Sequence, residues 1–213
     1  MKAIMMSIRP QHVAKILNGE KTIEIRKKFP KDYVGWVYIY LTKDRKQCLV
    51  RNNINKTYHL DTCYWDEFES NLNGKVVARF WCDKVEEIKY HFGYYDMGEW
   101  AESYILENSC LSAEELDDYL QASKEYDETK VSRVYGYAIH ITKLEIFNKP
   151  KEIGEFRRYC DKHFNWWTIR CLDCKAYTPD TDIEDYCNEN KLVLTRAPES
   201  WCYVEIWLWK SFY

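Results

Sequence analysis

The sequence contains little glycine and proline, and it has no long apolar run. Only 7 of its 213 residues are glycine and 5 are proline, whereas glycine alone averages about 7% of residues in soluble proteins. Together with an apolar content of 46%, this scarcity excludes a low-complexity or disordered chain. No stretch of about 18 apolar residues could cross a membrane, and the apolar start of the chain meets Arg9 too early for a signal peptide. We therefore expect a cytoplasmic protein that does not contact a membrane.

Cysteine is also too sparse for a disulfide scaffold. The 9 cysteines lie well below the share of about 8–10% that marks such scaffolds, and their number is odd. Without an export signal, we expect reduced thiols. Five of them fall on predicted strands or loops and resemble small apolar residues: Cys48, Cys63, Cys82, Cys110 and Cys202. The other four are grouped later in the chain and raise the question of a metal site.

Positive charge is concentrated in the first quarter of the chain. Residues 1–51 contain 12 Lys and Arg against 4 Asp and Glu, whereas the whole chain has a net charge of −3. The remainder is therefore acidic, which excludes a uniformly basic nucleic-acid coat. A local positive field suits a partner that carries phosphate, and a solvated basic surface has the same composition.

Hydrophobic periodicity predicts the first two elements. Val13, Ile16 and Leu17 share one face of a short helix that opens at Pro10. Residues 21–28 then alternate as a strand, with an apolar face turned inward and a charged face turned outward. A helix followed directly by a half-buried strand is typical of a mixed fold.

Further strands and a few helices follow along the chain. A capping box formed by Ser112 and Glu115 begins a helix that runs to the mid-120s. The remaining predicted elements are strands at 36–41, 75–81, 135–147 and 201–209 and a short helix at 151–159. Residues 43–73 and 160–196 show no clear period and are interpreted as loops or insertions. The pattern predicts an α+β fold, a small mixed β-barrel with a few short flanking helices.

The octapeptide at residues 19–26, GEKTIEIR, is the most informative motif. Its pattern G-x-K-x-x-E-x-R follows the predicted first helix, and residues 7–10, SIRP, precede that helix. These motifs resemble the ASCH domain family, a branch of the PUA-like superfamily. The segment 196–204, RAPESWCYV, is similar to the closing strand of ASCH proteins common in phages and prophages. The resemblance implies a single PUA-like domain over residues 1–213, with a cysteine-bearing irregular insertion at about 160–196.

The resemblance also implies a basic cleft beside the first helix that binds RNA or a nucleotide. Lys21 offers an ammonium group to a phosphate or carbonyl oxygen, and Arg26 offers a planar fork to a phosphate or a base edge. Glu24 shares a strand face with Arg26, so it can orient that guanidinium or accept a hydrogen bond from an exocyclic amine. The same spacing also fits a solvent-exposed ion pair. The residues expected to bind the ligand are Arg9, Lys21, Glu24, Arg26, Lys27 and Trp201.

An enzyme is the alternative to a binding module. One bacterial branch of the family hydrolyses the amide of acetylated cytidine with a lysine, a threonine three residues later and a downstream glutamate. Lys21 matches the first position, Glu24 stands where the threonine would be, and Glu107 is the best match for the downstream acid. The missing threonine favours binding, while hydrolysis of a modified nucleoside or of RNA stays open. A module that binds a protein partner is the third interpretation.

A cysteine-rich segment predicts a structural zinc site. Cys171 and Cys174 form a C-x₂-C knuckle, a spacing typical of tetrahedral Zn²⁺ ligation. The candidate ligands are four of the following five residues: Cys160, His163, Cys171, Cys174 and Cys187. Bound metal would supply folding energy to a segment that has little with which to form a core. Free buried thiols and a redox-active pair of cysteines are the alternatives.

Overall fold

The computed structural model describes residues 2–52, 54–63, 72–91, 94–97, 102–125, 133–159 and 192–206. The strands in these ranges are β1 (Ala3–Ile8), β2 (Ile23–Arg26), β3 (Gly35–Leu41), β4 (Gln47–Arg51), β5 (Tyr58–Thr62), β6 (Val76–Cys82), β7 (Val85–His91), β8 (Tyr94–Asp96), β9 (Val134–His140), β10 (Thr142–Lys151), β11 (Phe156–Arg158) and β12 (Trp201–Ile206). The helices are α1 (Pro10–Leu17), α2 (Glu102–Ser109), α3 (Ala113–Leu120) and α4 (Ala122–Glu125). None of these helices is long and apolar enough to span a membrane.

Two sheets and a hairpin make up the β-structure of the described residues. The main sheet has six strands in the order β10-β6-β3-β1-β12-β11, and the second sheet has four in the order β2-β9-β7-β8. Strands β4 and β5 form a separate hairpin. β1 and β3 are parallel, and the other described pairings are antiparallel.

The chain crosses repeatedly between the two sheets, and these crossings build the barrel. Asp83 and Lys84 separate β6 in the main sheet from β7 in the second sheet, and Ile141 separates β9 from β10. Strands that switch sheets in this way turn the corners between packed sheets. The main sheet curls into half a barrel. The predicted α+β fold, a PUA-like mixed β-barrel with a few short flanking helices, is confirmed.

β1 is buried on both faces, which explains why residues 3–6 are all apolar. Ile4, Met6 and Ile8 pack into one core between the main sheet and α1. Ala3 and Met5 pack into a separate core on the opposite face of the same sheet. A strand that is covered on both sides has no solvent face, so its sequence does not alternate. This strand provides a rigid base for the helix that follows it.

α1 confirms the first predicted helix. Pro10 occupies its first turn, and Val13, Ile16 and Leu17 are buried against the main sheet. Gly19 adopts a φ of +78°, a left-handed conformation that glycine takes without a steric cost, and the chain then turns toward β2. Because the apolar face of α1 packs inward, its polar face points away from this core.

Residues 43–73, interpreted from the sequence as a loop or insertion, contain the hairpin of β4 and β5, whose strands the pattern did not predict. Among the residues of these two strands, Cys48, Leu49 and Tyr58 are buried, so the sequence shows no apolar period of two. Cys48 and Cys63 form a disulfide with an S–S distance of 2.06 Å, which corrects the expectation that both are reduced thiols. The free cysteines of the described part are Cys82, Cys110 and Cys202.

Two predicted elements in the second half of the chain differ in type or bounds. The strand predicted over 135–147 is two strands, because the chain passes at Ile141 from the second sheet, where β9 pairs with β2, to the main sheet, where β10 pairs with β6. The helix predicted over 151–159 is a 3₁₀ turn at Ile153–Glu155 followed by β11, which pairs with β12. Local patterns indicated an ordered segment in both places but not the sheet to which it belongs.

α3 confirms the predicted capping box. The Ser112 hydroxyl accepts a hydrogen bond from the backbone N–H of Glu115 (3.1 Å), and the Glu115 carboxylate accepts one from the backbone N–H of Ser112 (2.9 Å). The helix ends at Leu120, earlier than predicted, and Gln121 in a left-handed conformation (φ +62°) separates it from α4. α2 is absent from the predicted elements; its Ile105 is buried in the same core as α3.

Candidate functional site

The two faces of β2 differ in their surroundings: one packs into an apolar core and the other borders a cleft. Ile23 and Ile25 pack into the core shared by the second sheet, α2 and α3. Glu24 and Arg26 project from the other face, where they line a cleft together with residues of α1. The alternation predicted for this strand is therefore correct, but its charged face is the wall of a cleft rather than an open surface, and Glu24 is only 5% exposed.

The cleft has a volume of about 650 Å³. Its main walls are the polar face of α1, the charged face of β2, one side of α3 and the segment 199–200. Binding sites for small molecules usually measure about 300–1,000 Å³. A cleft beside the first helix, which the family resemblance implies, is thus present and large enough for one molecule of nucleotide size.

Three charged side chains of the octapeptide meet at one wall of this cleft, and we call them the triad: Lys21, Glu24 and Arg26. Glu24 lies between two cations, with its Oε2 3.4 Å from Lys21 Nζ and its Oε1 3.0 Å from Arg26 Nη2. Lys21 is 2% exposed, so the ion pairs are buried. The alternative of a solvent-exposed ion pair does not apply.

Glu24 is ionised in this setting. Burial raises the pKa of its carboxyl group, but the attraction of Lys21 and Arg26, with a smaller contribution from His12, outweighs that effect and brings the pKa below its ordinary value. A carboxylate that stays charged keeps both oxygens available as hydrogen-bond acceptors. The wall of the cleft thus presents a fixed negative charge between two positive ones.

Each cation of the triad also has a backbone partner. Lys21 Nζ donates a hydrogen bond to the carbonyl of Ser109 at the end of α2 (2.7 Å). Arg26 Nη2 donates to the carbonyl of Ser7 in β1 (2.7 Å), whereas Arg26 Nε is buried without a hydrogen-bond partner among the described residues. α2 and β1 therefore fix the two cations, and Glu24 is held between them.

Ser7 also binds the segment 198–200, of which residues 199–200 form a wall of the cleft. Its backbone N–H donates to the carbonyl of Ser200 (2.9 Å), and its hydroxyl donates to the carbonyl of Pro198 (2.6 Å), 191 positions away in the chain. The segment that carries Glu199 is therefore held beside the triad by two hydrogen bonds. The cleft is complete only when both ends of the described chain are in place.

α1 contributes cleft residues that the motif does not include. His12 and Lys15 line the cleft, and they lie three positions apart on the polar face of the helix. His12 Nδ1 is buried and has no hydrogen-bond partner within the described ranges. Burial lowers the pKa of His12; attraction by Glu24 opposes this shift, and nearby cations add to it, so the ring is neutral near pH 7. The helical period that predicts α1 places both residues opposite its apolar face, and this is the signal that could have found them.

The cleft carries charges of both signs, whereas a basic cleft was expected. Its described lining includes four basic side chains: Arg9, Lys15, Lys21 and Arg26. It also includes four acidic ones: Glu24, Glu115, Asp118 and Glu199. The other cations of the basic first quarter of the chain do not line it. A lining of both signs suits a ligand that has an anionic group and hydrogen-bond donors.

The remaining predicted ligand-binding residues differ in their distance from the cleft. Arg9 is exposed at the start of α1 and lines the cleft. Lys27 does not line it, but its Nζ lies 5.7 Å from the ring centroid of Tyr119, which does. Trp201 is not part of the lining: its indole N–H donates to the carbonyl of Lys28 (2.7 Å), and its ring packs against neighbouring aromatic residues.

Two of the three candidate catalytic residues reach the cleft. Lys21 and Glu24 line it, whereas Glu107 is exposed on α2 and does not. The acidic residues that face the cleft from this part of the chain are Glu115 and Asp118 of α3. A hydrolytic site would therefore take its downstream acid from α3 and not from α2.

The predicted zinc ligands lie outside the described residues. This holds for Cys160, His163, Cys171, Cys174 and Cys187. Within the part of the chain that the structure describes, no group of three or more His, Cys, Asp or Glu side chains could hold a metal ion. The zinc site stays a prediction.

No family model matches the sequence, and no curated protein matches it significantly. The fold is similar to solved structures of an ASCH protein from Zymomonas mobilis. That protein is 13% identical, with a TM-score of 0.41 over 71% of this chain and 73% of that chain. Two mutants of it give a TM-score of 0.42 at 12% identity over 72% and 77% of the two chains, and of 0.40 at 13% identity over 70% and 73%. These structures are of a protein named after the family that the sequence motifs resemble.

Proposed function

We propose that the cleft binds a nucleotide, free or within unpaired RNA. The observation that carries this proposal is the ionised Glu24 at the cleft wall, held between Lys21 and Arg26. A carboxylate in that position can accept hydrogen bonds from the amino or imino groups of a base edge. The adjacent guanidinium can donate to a phosphate or base oxygen. One wall of the cleft therefore offers an acceptor for the amino or imino groups of a base and a cationic donor for a phosphate.

The fold alone does not account for the triad. Removing charges from water is costly, and well-packed apolar residues usually stabilise a protein as much as a buried ion pair does. Lys21 and Glu24 nevertheless belong to the buried residues of the described part. A charged cluster of this kind at a cleft wall is better explained by what it presents to the cleft than by its contribution to stability.

The members of the triad differ in their roles because they differ in exposure. Lys21 has almost no accessible surface, so its contacts hold Glu24 in place rather than reach a ligand. Arg26 keeps 12% of its side chain exposed and can contact a ligand directly. Arg9 and Lys15 line the same cleft with more accessible side chains, and these cations suit a phosphate group.

The balanced charge of the cleft favours one nucleotide over a run of phosphates. Four acidic side chains in the lining repel a phosphate backbone that follows the wall, but they can accept hydrogen bonds from a base. Proteins commonly recognise RNA through unpaired bases that are splayed out and read individually. We therefore expect a mononucleotide to bind with an affinity close to that of a short oligonucleotide.

Titration calorimetry of the full chain with each of the four nucleoside monophosphates tests the proposal. Arg9→Ala should weaken binding by about tenfold or more, because a hydrogen bond to a charged group contributes about 1.5–3 kcal/mol. Arg79→Ala is the matched control, since Arg79 pairs with Glu145 and does not line the cleft. Unchanged affinity in Arg9→Ala, or no binding to the wild type at millimolar nucleotide, would contradict the proposal.

The salt dependence of binding separates a mononucleotide from a longer RNA ligand. Each phosphate contact on a single strand contributes about −0.7 to the slope of log affinity against log salt concentration. We expect a slope near that of one contact both for a monophosphate and for a short single-stranded RNA. A much steeper slope for the RNA would mean that a phosphate run outside the cleft dominates binding.

Hydrolysis in the same cleft is the second candidate function, and the position of Glu24 beside Arg26 at the cleft wall favours it. A carboxylate can take a proton from water as that water attacks a carbonyl or phosphoryl centre, and Arg26 is near enough to stabilise the developing negative oxygen. Incubation with acetylated cytidine and with a short single-stranded RNA tests this reaction. Turnover that is lost in a folded Glu24→Gln variant would support it, and absence of turnover would leave the binding role.

A protein-interaction module would bind neither probe and would retain a partner in a pull-down.

A further inference from the structure

α3 brings one aromatic ring to the cleft. Leu116 and Leu120 are buried in the core shared with the second sheet, whereas Tyr119 remains 39% exposed and lines the cleft. The helical spacing of these three residues predicts that they share one apolar face. In the structure only the two leucines of that face are buried, and the tyrosine is exposed. Among the described residues that line the cleft, Tyr119 is the only Phe, Tyr or Trp.

Charged groups surround this ring. Lys27 Nζ lies 5.7 Å from the ring centroid, a distance at which an ammonium group is attracted to the face of an aromatic ring. Glu115 and Asp118 of the same helix also line the cleft. The tyrosine therefore exposes apolar surface to water in a polar setting, and a planar ligand would remove that surface from water.

We propose that Tyr119 is the stacking face for the planar base of a nucleotide bound in the cleft, with Lys27 Nζ lying over the same ring. This inference rests on the proposed function and assigns the base to α3 and the phosphate to the cations of α1. Stacking of a base on an aromatic side chain corresponds to about 5- to 150-fold in affinity. Because every base has a π face, Tyr119 selects nucleotides over sugar phosphates without selecting among the bases.

The test compares the four nucleoside monophosphates with ribose 5-phosphate, which has the sugar and phosphate but no base. Calorimetry on the full chain should show weaker binding of ribose 5-phosphate. Tyr119→Ala should reduce the affinity for nucleotides by about 5- to 150-fold and leave the affinity for ribose 5-phosphate unchanged. Tyr119→Phe keeps the ring and should bind like the wild type, whereas Tyr119→Leu keeps apolar bulk without a π face and should behave like Tyr119→Ala.

Tyr94→Ala is the matched control, because Tyr94 is 49% exposed on β8 and does not line the cleft. This variant should leave the affinities for nucleotides and for ribose 5-phosphate unchanged. Urea midpoints equal to that of the wild type show that the Tyr119 and Tyr94 variants are folded. If Tyr119→Ala lowers the affinity for nucleotides and for ribose 5-phosphate equally, or lowers neither, the stacking role is overturned while nucleotide binding stays in place. Failure of the wild type to bind any of these probes would overturn the proposed function and the stacking role together.

Discussion

Replacing Glu24 by glutamine should destabilise the protein far more than the similar shapes of the two side chains suggest. The carboxylate is the partner of both Lys21 and Arg26, at 3.4 Å and 3.0 Å, in a buried position. Glutamine fills the same space but leaves two enclosed cations without an anion. Removing one partner of a buried ion pair typically costs about 3–5 kcal/mol.

We expect the loss in the free energy of unfolding to lie near the lower end of that range. Both cations keep their backbone acceptors, the carbonyls of Ser109 and Ser7, and the amide oxygen of glutamine can accept one further hydrogen bond. We therefore expect Glu24→Gln to lower the free energy of unfolding by about 3 kcal/mol. For a chain of 213 residues, that loss corresponds to a decrease of roughly 6–12 °C in melting temperature.

Glu145→Gln is the matched control for this variant. Glu145 pairs with Arg79 at a shorter distance, 2.7 Å, but its side chain is 48% exposed. Solvent-exposed ion pairs contribute only about 0–1 kcal/mol, so the control should lose no more than that. The comparison separates the effect of burial from the effect of distance, because the closer pair is expected to matter less.

Urea denaturation followed by the fluorescence of the 9 tryptophans measures both variants. Adding Lys21→Met to the Glu24→Gln variant should recover part of the stability, because one uncompensated buried charge is then gone. A loss in Glu24→Gln no larger than that in Glu145→Gln would refute the reasoning. Absence of any recovery in the double variant would refute it as well.

Other contacts lead to four further expectations. Cys63→Ser should lower the free energy of unfolding by about 3 kcal/mol, since the bridge to Cys48 spans a sequence separation of 15; a wild type that is equally stable with and without reductant would contradict this. His12→Gln should lose less stability than the wild type as the pH falls below 6.5, because burial lowers the pKa of His12 from that value and the native state disfavours its protonation; parallel losses of urea midpoint at acid pH would show that His12 is not responsible. Ser112→Ala should cost about 1 kcal/mol by removing the capping box of α3, whereas Ser103→Ala, on an exposed position of α2, should cost nothing. Elemental analysis of the purified full chain should find zinc bound if the cysteine-rich segment is a metal site, and a metal content near zero would reject that site.

The triad could be predicted from sequence, but its surroundings could not. Alternation in β2 determines which side chains share a face, so Glu24 and Arg26 are placed together by the octapeptide alone. The acceptor that fixes Lys21 is the carbonyl of Ser109, 88 positions away. α2, which carries it, buries only Ile105 and Ser109, too few residues to produce a helical period. Local sequence therefore gives the charged face but not the walls that turn it into a cleft.

Two aromatic residues, Tyr119 and Trp201, show the same limit. Helical spacing groups Tyr119 with Leu116 and Leu120, but it does not determine how many of these positions the core can hold. The family resemblance assigned a cleft position to Trp201, whose indole N–H is instead engaged by the carbonyl of Lys28, 173 positions away. Tertiary contacts decide which ring lines the cleft, and these contacts have no signature in the neighbouring sequence.

The pairing of β1 with β12 has a consequence for how the protein is made. Residues Ala3 to Met6 pair with residues 201–204, so one edge of this apolar strand stays open on the ribosome until the partner strand has been translated. Open strand edges invite association with other chains, and contacts this distant in sequence form slowly. The segment around Glu199 reaches Ser7 in the same late step. A nascent or truncated chain without β12 is therefore prone to aggregation and also lacks the support for the segment that completes the cleft, so this strand links solubility to the formation of the cleft.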